Sequence, residues 1–159
     1  IEVPERTDFA SELATYQGRQ AVADGEAFDP SPKNIQSRVV QGELKSGMPY
    51  NFLTKKTRGS MVNLALNLRF GDEKSLFEKS AACEILGQLM LRGTKDYSFQ
   101  EIKDKLDQLI ANVSIDSQAQ QVRVRVQTKR ENLLAVLDIL ESVLRRPTFP
   151  AKEFEVLVN

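Results

Sequence analysis

The side chains that carry most enzyme chemistry are sparse in this chain. Its 159 residues contain no histidine. Within these residues that removes a Ser-His-Asp triad, a Cys-His dyad and any imidazole metal site. The one cysteine, Cys83, cannot close an internal disulfide. It stands on an apolar stretch with no basic neighbour to activate its thiol, so it reads as a small core residue. Gly42, Gly47, Gly59 and Gly71 are scattered rather than gathered into a run that would cradle phosphate. Asp24, Glu26 and Asp29 lack the spacing of a calcium loop. Lys55-Lys56-Thr57-Arg58 is a basic turn without an aromatic platform, and reads as a solvated loop. Twenty-two basic and 22 acidic side chains cancel to a formal charge of zero. Neither nucleic acid nor an acidic membrane surface is therefore an expected partner. No apolar stretch approaches the ~20 residues that span a bilayer.

What remains is polar and lies on strands. Val62, Leu64, Leu66, Leu68 and Phe70 alternate with Asn63, Ala65, Asn67 and Arg69. Val122, Val124 and Val126 alternate with Arg123, Arg125 and Gln127. Period two sends successive side chains to opposite faces, so each strand has one greasy and one polar face.

The elements that position these residues follow from capping and turn signals. Residues 1–36 read as a linker with one short helix around Phe9, Leu13 and Tyr16, then a connector through Asp29-Pro30-Ser31-Pro32 that stops regular structure. Residues 37–159 read as the folded domain. Two extended runs flank the turn Lys45-Ser46-Gly47-Met48-Pro49 and make a hairpin, and the strand through Val62–Phe70 follows. Three S/T-x-x-E capping boxes (Ser75/Glu78, Ser98/Glu101 and Thr128/Glu131) are expected to open helices. The first helix runs to about Arg92 with Gly93 after it, and carries Phe77, Ala81, Ala82, Ile85, Leu86, Leu89 and Met90. Strands are expected at about 111–117 and 120–127. The third helix ends near Arg145 before Pro147, and Pro150 suits the first turn of a last helix. The order βββ-αα-ββ-αα predicts an α+β two-layer sandwich: a mainly antiparallel sheet with helices on one face, truncated at its C-terminal end. The opening without methionine and a closing run that reads as a helix just begun are expected of a piece of something larger.

Three stretches carry a family resemblance: Phe70-Gly71-Asp72-Glu73, then Ala81 to Leu91, then Arg92-Gly93-Thr94-Lys95-Asp96-Tyr97-Ser98. With the later Pro147-Thr148-Phe149-Pro150-Ala151-Lys152-Glu153-Phe154-Glu155, they resemble the insulinase/pitrilysin-type zinc peptidases, the family of mitochondrial processing peptidase and many bacterial zinc proteases. Active members carry H-x-x-E-H on the helix before the G-T turn. Aligning Gly93-Thr94 puts that motif on Glu84-Ile85-Leu86-Gly87-Gln88. Glu84 and Gln88 then stand at the two histidine positions and Gly87 at the general-base position. Two imidazoles at i and i+4 hold zinc on one helical face while the glutamate takes a proton from metal-bound water. A carboxylate and an amide there make a poor divalent site, and glycine offers no base.

The resemblance implies a degenerate, non-catalytic copy within a duplicated peptidase, with no catalytic residue, metal or cofactor in this segment. Zinc is expected in the catalytic half of the parent. A third ligand, a glutamate on a later helix, would fall beyond Asn159. Such enzymes close two halves into a chamber, and the open sheet face is turned toward it. Asn63, Asn67, Arg69, Arg123, Arg125 and Gln127 are then expected to line the chamber, contacting peptide backbone or acidic side chains. The implied partners are other domains of the parent chain and peptide or unfolded polypeptide, with a homodimer also open. The implied location is periplasmic or otherwise outside the cytoplasm. The alternative is a structural or interaction subunit of the same fold without peptidase activity.

Overall fold

Residue 22 and residues 24–158 are described by the computed structural model of the chain. The helix expected around Phe9, Leu13 and Tyr16 lies outside them. The first described helix, α1 (Pro32–Arg38), falls across the expected connector. Pro30 and Pro32 read as breakers, but Pro32 is the first helical residue, where a missing N–H costs nothing. Ser31 caps the helix by accepting from the Asn34 N–H. The connector itself is docked: Glu26 accepts from the Lys56 N–H at 3.1 Å and pairs with Arg38 at 2.7 Å. Arg38 and Lys55 both lie over the Phe28 ring. The basic turn is therefore a docking point for the chain before α1 as well as a solvated loop.

The expected hairpin forms as β1 (Val39–Glu43) and β2 (Pro49–Leu53), with Val39 opposite Leu53. It is a separate two-stranded sheet. The main sheet has three antiparallel strands, β3 (Met61–Arg69), β4 (Asn112–Gln118) and β5 (Gln121–Lys129), with β5 central. Alternation works as the sequence implies. Val122, Val124 and Val126 are buried, whereas Arg123, Arg125 and Gln127 are exposed.

Helices α2 (Ser80–Met90), α3 (Phe99–Gln108), α4 (Leu133–Arg145) and α5 (Ala151–Val158) complete the described chain. The core joins Met90 and Ile102 from α2 and α3 to Ile115 from β4. It continues through Val122, Val124 and Val126 of β5 to Val136, Ile139, Leu140 and Val143 of α4. The fold is an α+β two-layer arrangement, with one face of the main sheet against helices and the other open.

One of the three capping boxes forms. Ser98 accepts from the Glu101 N–H, and Glu101 accepts from the Ser98 N–H at 2.8 Å. At the first position, Ser75 and Asp72 exchange hydrogen bonds instead, and Glu78 has φ of 60°. This Asx-type turn follows Gly71, whose φ of 64° suits glycine. It delays the helix to Ser80, so Phe77 falls in the turn and is exposed. At the third position Thr128 is a buried strand residue whose hydroxyl donates to the Leu109 carbonyl, as does the Asn132 amide. A 3-10 turn (Arg130–Asn132) then leads into α4. The S/T-x-x-E spacing is ambiguous because the same hydroxyl can satisfy a strand end or a preceding turn.

The Gly93-Thr94 turn is pinned from several sides. The Thr94 hydroxyl accepts from the N–H groups of Asp96 and Tyr97 and lies 3.0 Å from Ser142 Oγ. Ser142, buried on α4, donates to the Asp96 carboxylate, which also pairs with Arg146 at 2.9 Å. The backbones of Lys95 and Thr148 bond to Arg146 and Gly93. Arg92 reaches Glu153 on α5 and lies over the Phe99 ring. The turn thereby ties together the end of α2, the start of α3 and the α4–α5 junction.

Hydrogen bonds from the Ser98 backbone and hydroxyl hold the Glu101 carboxyl below its usual range. A lowered folded-state pKa means that its contribution is complete above the ordinary carboxylate pKa. It is lost as pH falls through the lower, folded-state value. Denaturant titrations from about pH 6 to about pH 3 should show a shallower acid loss of stability for Glu101→Gln than for the unaltered chain. Equal slopes would mean that the box has no charge-dependent role.

Candidate functional site

The helix that would carry a catalytic motif is α2, and its geometry decides what it can hold. It packs on β4 so closely that a Cβ on Gly87 would lie 2.5 Å from the Ile115 carbonyl oxygen and 3.0 Å from its carbon. Both atoms are backbone and cannot swing aside. The Ser117 hydroxyl sits in the same contact, accepting from the Gly87 N–H at 2.7 Å and donating to the Glu84 carbonyl at 3.3 Å. Glycine is required here by close approach of helix to strand. Position 87 faces the sheet, and no side chain of any size fits.

Glu84 and Gln88 fall on the exposed side of α2. Neither side chain hydrogen-bonds to another described residue. Among the described residues, no group of three or more His, Cys, Asp or Glu side chains is placed to hold a metal. The residues present do not fit zinc: there is one exposed carboxylate, one amide, and no room for a base between them. Cys83, one residue before Glu84, is buried.

The open sheet face is organised in rows by strand register. Asn63, Gln127 and Asn112 form one row, and Ala65, Arg125 and Ser114 the next. Asn67, Arg123 and Asp116 form the third, and Arg69, Gln121 and Gln118 the fourth. A groove of about 400 Å³ lies over the first two rows, lined by Asn63, Ala65, Asn112, Ser114, Arg125 and Gln127, with Leu64 and Val126 beneath. Its depth over the second row follows from residue size, because Ala65 and Ser114 are small on either side of Arg125. A smaller cavity of about 110 Å³ lies at the other end, between Asp116, Ser117, Gln118, Gln121 and Arg123.

The structure thus brings Asn63, Arg125 and Gln127 together at the groove. It places Asn67 and Arg123 in the neighbouring row, where Arg123 Nε donates to Asn67 Oδ1 at 3.0 Å. Arg69 stands at the far end, outside the groove. Glu84 and Gln88 line neither cavity, although the Glu84 carbonyl and the smaller cavity share Ser117. Arg125 pairs with Asp116 across the strands, so the two arginines differ: one meets a carboxylate, the other an amide.

Four contributors had not been singled out: Ala65 as a floor residue, and Asn112, Ser114 and Asp116 from β4. The signal was present, since Val113 and Ile115 point inward and their alternates must point outward. Register, which sequence alone does not supply, sets Asp116 opposite Arg123 and diagonal to Arg125, the arginine it pairs with.

The packing at Gly87 yields a direct test. Gly87→Ala should cost about 1–3 kcal/mol in chemical denaturation, the usual penalty for overpacking. Gly87→Glu should cost more, because a carboxylate would be buried against a carbonyl. The triple variant Glu84→His, Gly87→Glu, Gln88→His should therefore not acquire tight zinc binding. Glu84→His with Gln88→His should fold normally, since both positions are exposed. A folded triple variant holding one zinc per chain would overturn this geometry.

Comparison with known proteins places these features. No curated protein matches the chain. Among solved structures, the crystal structure of a protease from Helicobacter pylori superposes with a TM-score of 0.60 at 15% identity. The match covers 74% of this chain and 28% of that one, so this chain spans under a third of the protease it resembles. At that identity the likeness concerns the fold. A family model, described as insulinase (peptidase family M16), matches residues 52–158, from the end of β2 through α5. With two thirds of its length inside that match, the chain belongs to the insulinase (M16) peptidase family.

Proposed function

We propose that this is a non-catalytic domain of a longer zinc metallopeptidase. Its open sheet face forms part of the wall that encloses peptide substrates, and hydrolysis takes place at a zinc site elsewhere in that protein. The observation that carries the reading is Gly87. The position aligned with the family's general base is packed against the Ile115 backbone, and the two flanking positions hold Glu84 and Gln88 in place of imidazoles. The helix has been given over to packing. The grooved polar face supports the wall role: it offers amides and guanidiniums for hydrogen bonding to an extended chain.

By the same resemblance, the longer protein is one exported from the cytoplasm, which cell fractionation tests. Zinc analysis and peptide cleavage on the 159-residue chain should give no stoichiometric metal and no turnover. The longer protein should cleave peptides. In it, Ala65→Trp, which fills the groove without changing its charge, should raise KM severalfold while zinc content stays the same. Cleavage by the longer protein with KM unmoved by Ala65→Trp would remove this face from the substrate path. Absence of cleavage by the longer protein would favour a structural subunit of the same fold.

A further inference from the structure

The groove over Ala65 and Ser114 is bordered by uncharged hydrogen-bonding groups. Asn63, Gln127 and Asn112 stand abreast in one row. Each offers an amide N–H₂ and a carbonyl oxygen. All three are exposed, and none is hydrogen-bonded through its side chain to another described residue. The groove's one charged lining residue is Arg125, and Asp116 pairs with it. Asp116 stands directly opposite Arg123 in the register, so one carboxylate is placed beside both arginines of β5. Arg123 in turn is hydrogen-bonded to Asn67. At the far end of the face Arg69, three rows away from the amides, has no pairing partner among the described residues, and just beyond the amide row Lys129, opposite Met61, pairs with Glu131 at 3.6 Å. With about 3.4 Å per strand residue, three rows amount to about 20 Å.

We propose that this groove is a subsite for an uncharged stretch of extended polypeptide, and that Asp116 sets the preference by occupying Arg125. The inference rests on the chamber-wall reading and narrows it to a substrate class. Charge complementarity favours such a stretch. A groove whose single cation is already matched gains little from a carboxylate. Side-chain amides, by contrast, pair equally well with peptide N–H and C=O groups and with neutral polar side chains. Asp116 acts as a positioning residue: it touches Arg125 and does not line the groove. Both partners of the ion pair are more than half exposed, so the effect on selectivity is modest and sensitive to salt.

The test uses the ¹⁵N-labelled 159-residue chain and two peptides of equal length, about seven residues. One is built from Ser, Thr, Asn and Gln; the other carries Glu at alternate positions. The uncharged peptide should shift the side-chain amide signals of Asn63, Asn112 and Gln127, with an affinity that changes little on adding salt. Asp116→Asn, a near-isosteric change at an exposed site, should raise the ratio of acidic to uncharged peptide affinity about two- to fivefold. That rise should vanish in high salt. Adding Arg125→Gln to Asp116→Asn should restore the original ratio. Asn63→Ala with Gln127→Ala should weaken the uncharged peptide. If peptides shift the face but Asp116→Asn leaves the ratio unmoved, this inference falls and the wall reading stands. If neither peptide moves any signal on the open face, both fall.

Discussion

The contact on which the functional reading depends is the approach of α2 to β4 at Gly87. A helix normally rides on a sheet at the distance set by its side chains. Here backbone meets backbone, with no Cβ between the helix and the Ile115 carbonyl. Ser117 fills the remaining space and satisfies polar groups of residues 84 and 87. The close fit serves the core and excludes catalysis at the same point. A general base needs a side chain of several atoms at that place, a pocket for it, and water beside it. Close packing removes all three. Loss of the imidazoles alone would leave a helix that point changes could restore; loss of the space beside β4 does not.

The second constraint is the knot around Thr94. Its hydroxyl accepts two backbone N–H groups and meets the buried Ser142. Buried polar groups that are fully paired give a unique geometry, whereas half-paired ones are costly. No buried side-chain nitrogen or oxygen among the described residues lacks a partner. The Gly93-Thr94 turn therefore acts as a rivet between three helix ends. That explains in physical terms why so short a pair of residues marks the fold: glycine lets Pro150 and Thr148 come close, and threonine supplies an oxygen that side and main chain both use.

Much of the architecture was legible in the residues. Alternation in Val62–Phe70 and Val122–Gln127 gave both strands and their faces, because period two is a strong local signal. Ser98 and Glu101 gave a real helix start. Ser75/Glu78 and Thr128/Glu131 share that spacing but not its outcome. Asp72 competes for Ser75, and Leu109, 19 residues before Thr128, competes for that hydroxyl. Such competition is decided by tertiary neighbours, which spacing does not encode. Helix α1 escaped notice because proline was read only as a breaker. At the site, Asn63, Arg125 and Gln127 were found by face, while Asp116 was missed because its importance lies in register.

Register also alters what the polar face means. As a list of side chains, Asn63, Asn67, Arg69, Arg123, Arg125 and Gln127 form a cationic surface suited to acidic ligands. In place, the charges are graded along the strands. Lys129 at one end is held by Glu131, the amides and a closed Arg125–Asp116 pair follow, Arg123 leans on Asn67, and Arg69 at the other end has no pairing partner among the described residues. A surface of uniform charge would attract acidic chains wherever they landed. On the proposed chamber-wall reading, an uneven one would distinguish positions along an extended chain, favouring neutral residues over the groove and a carboxylate toward Arg69. An ordinary solvated sheet face has no need to assign Asp116 to the arginine that borders the groove.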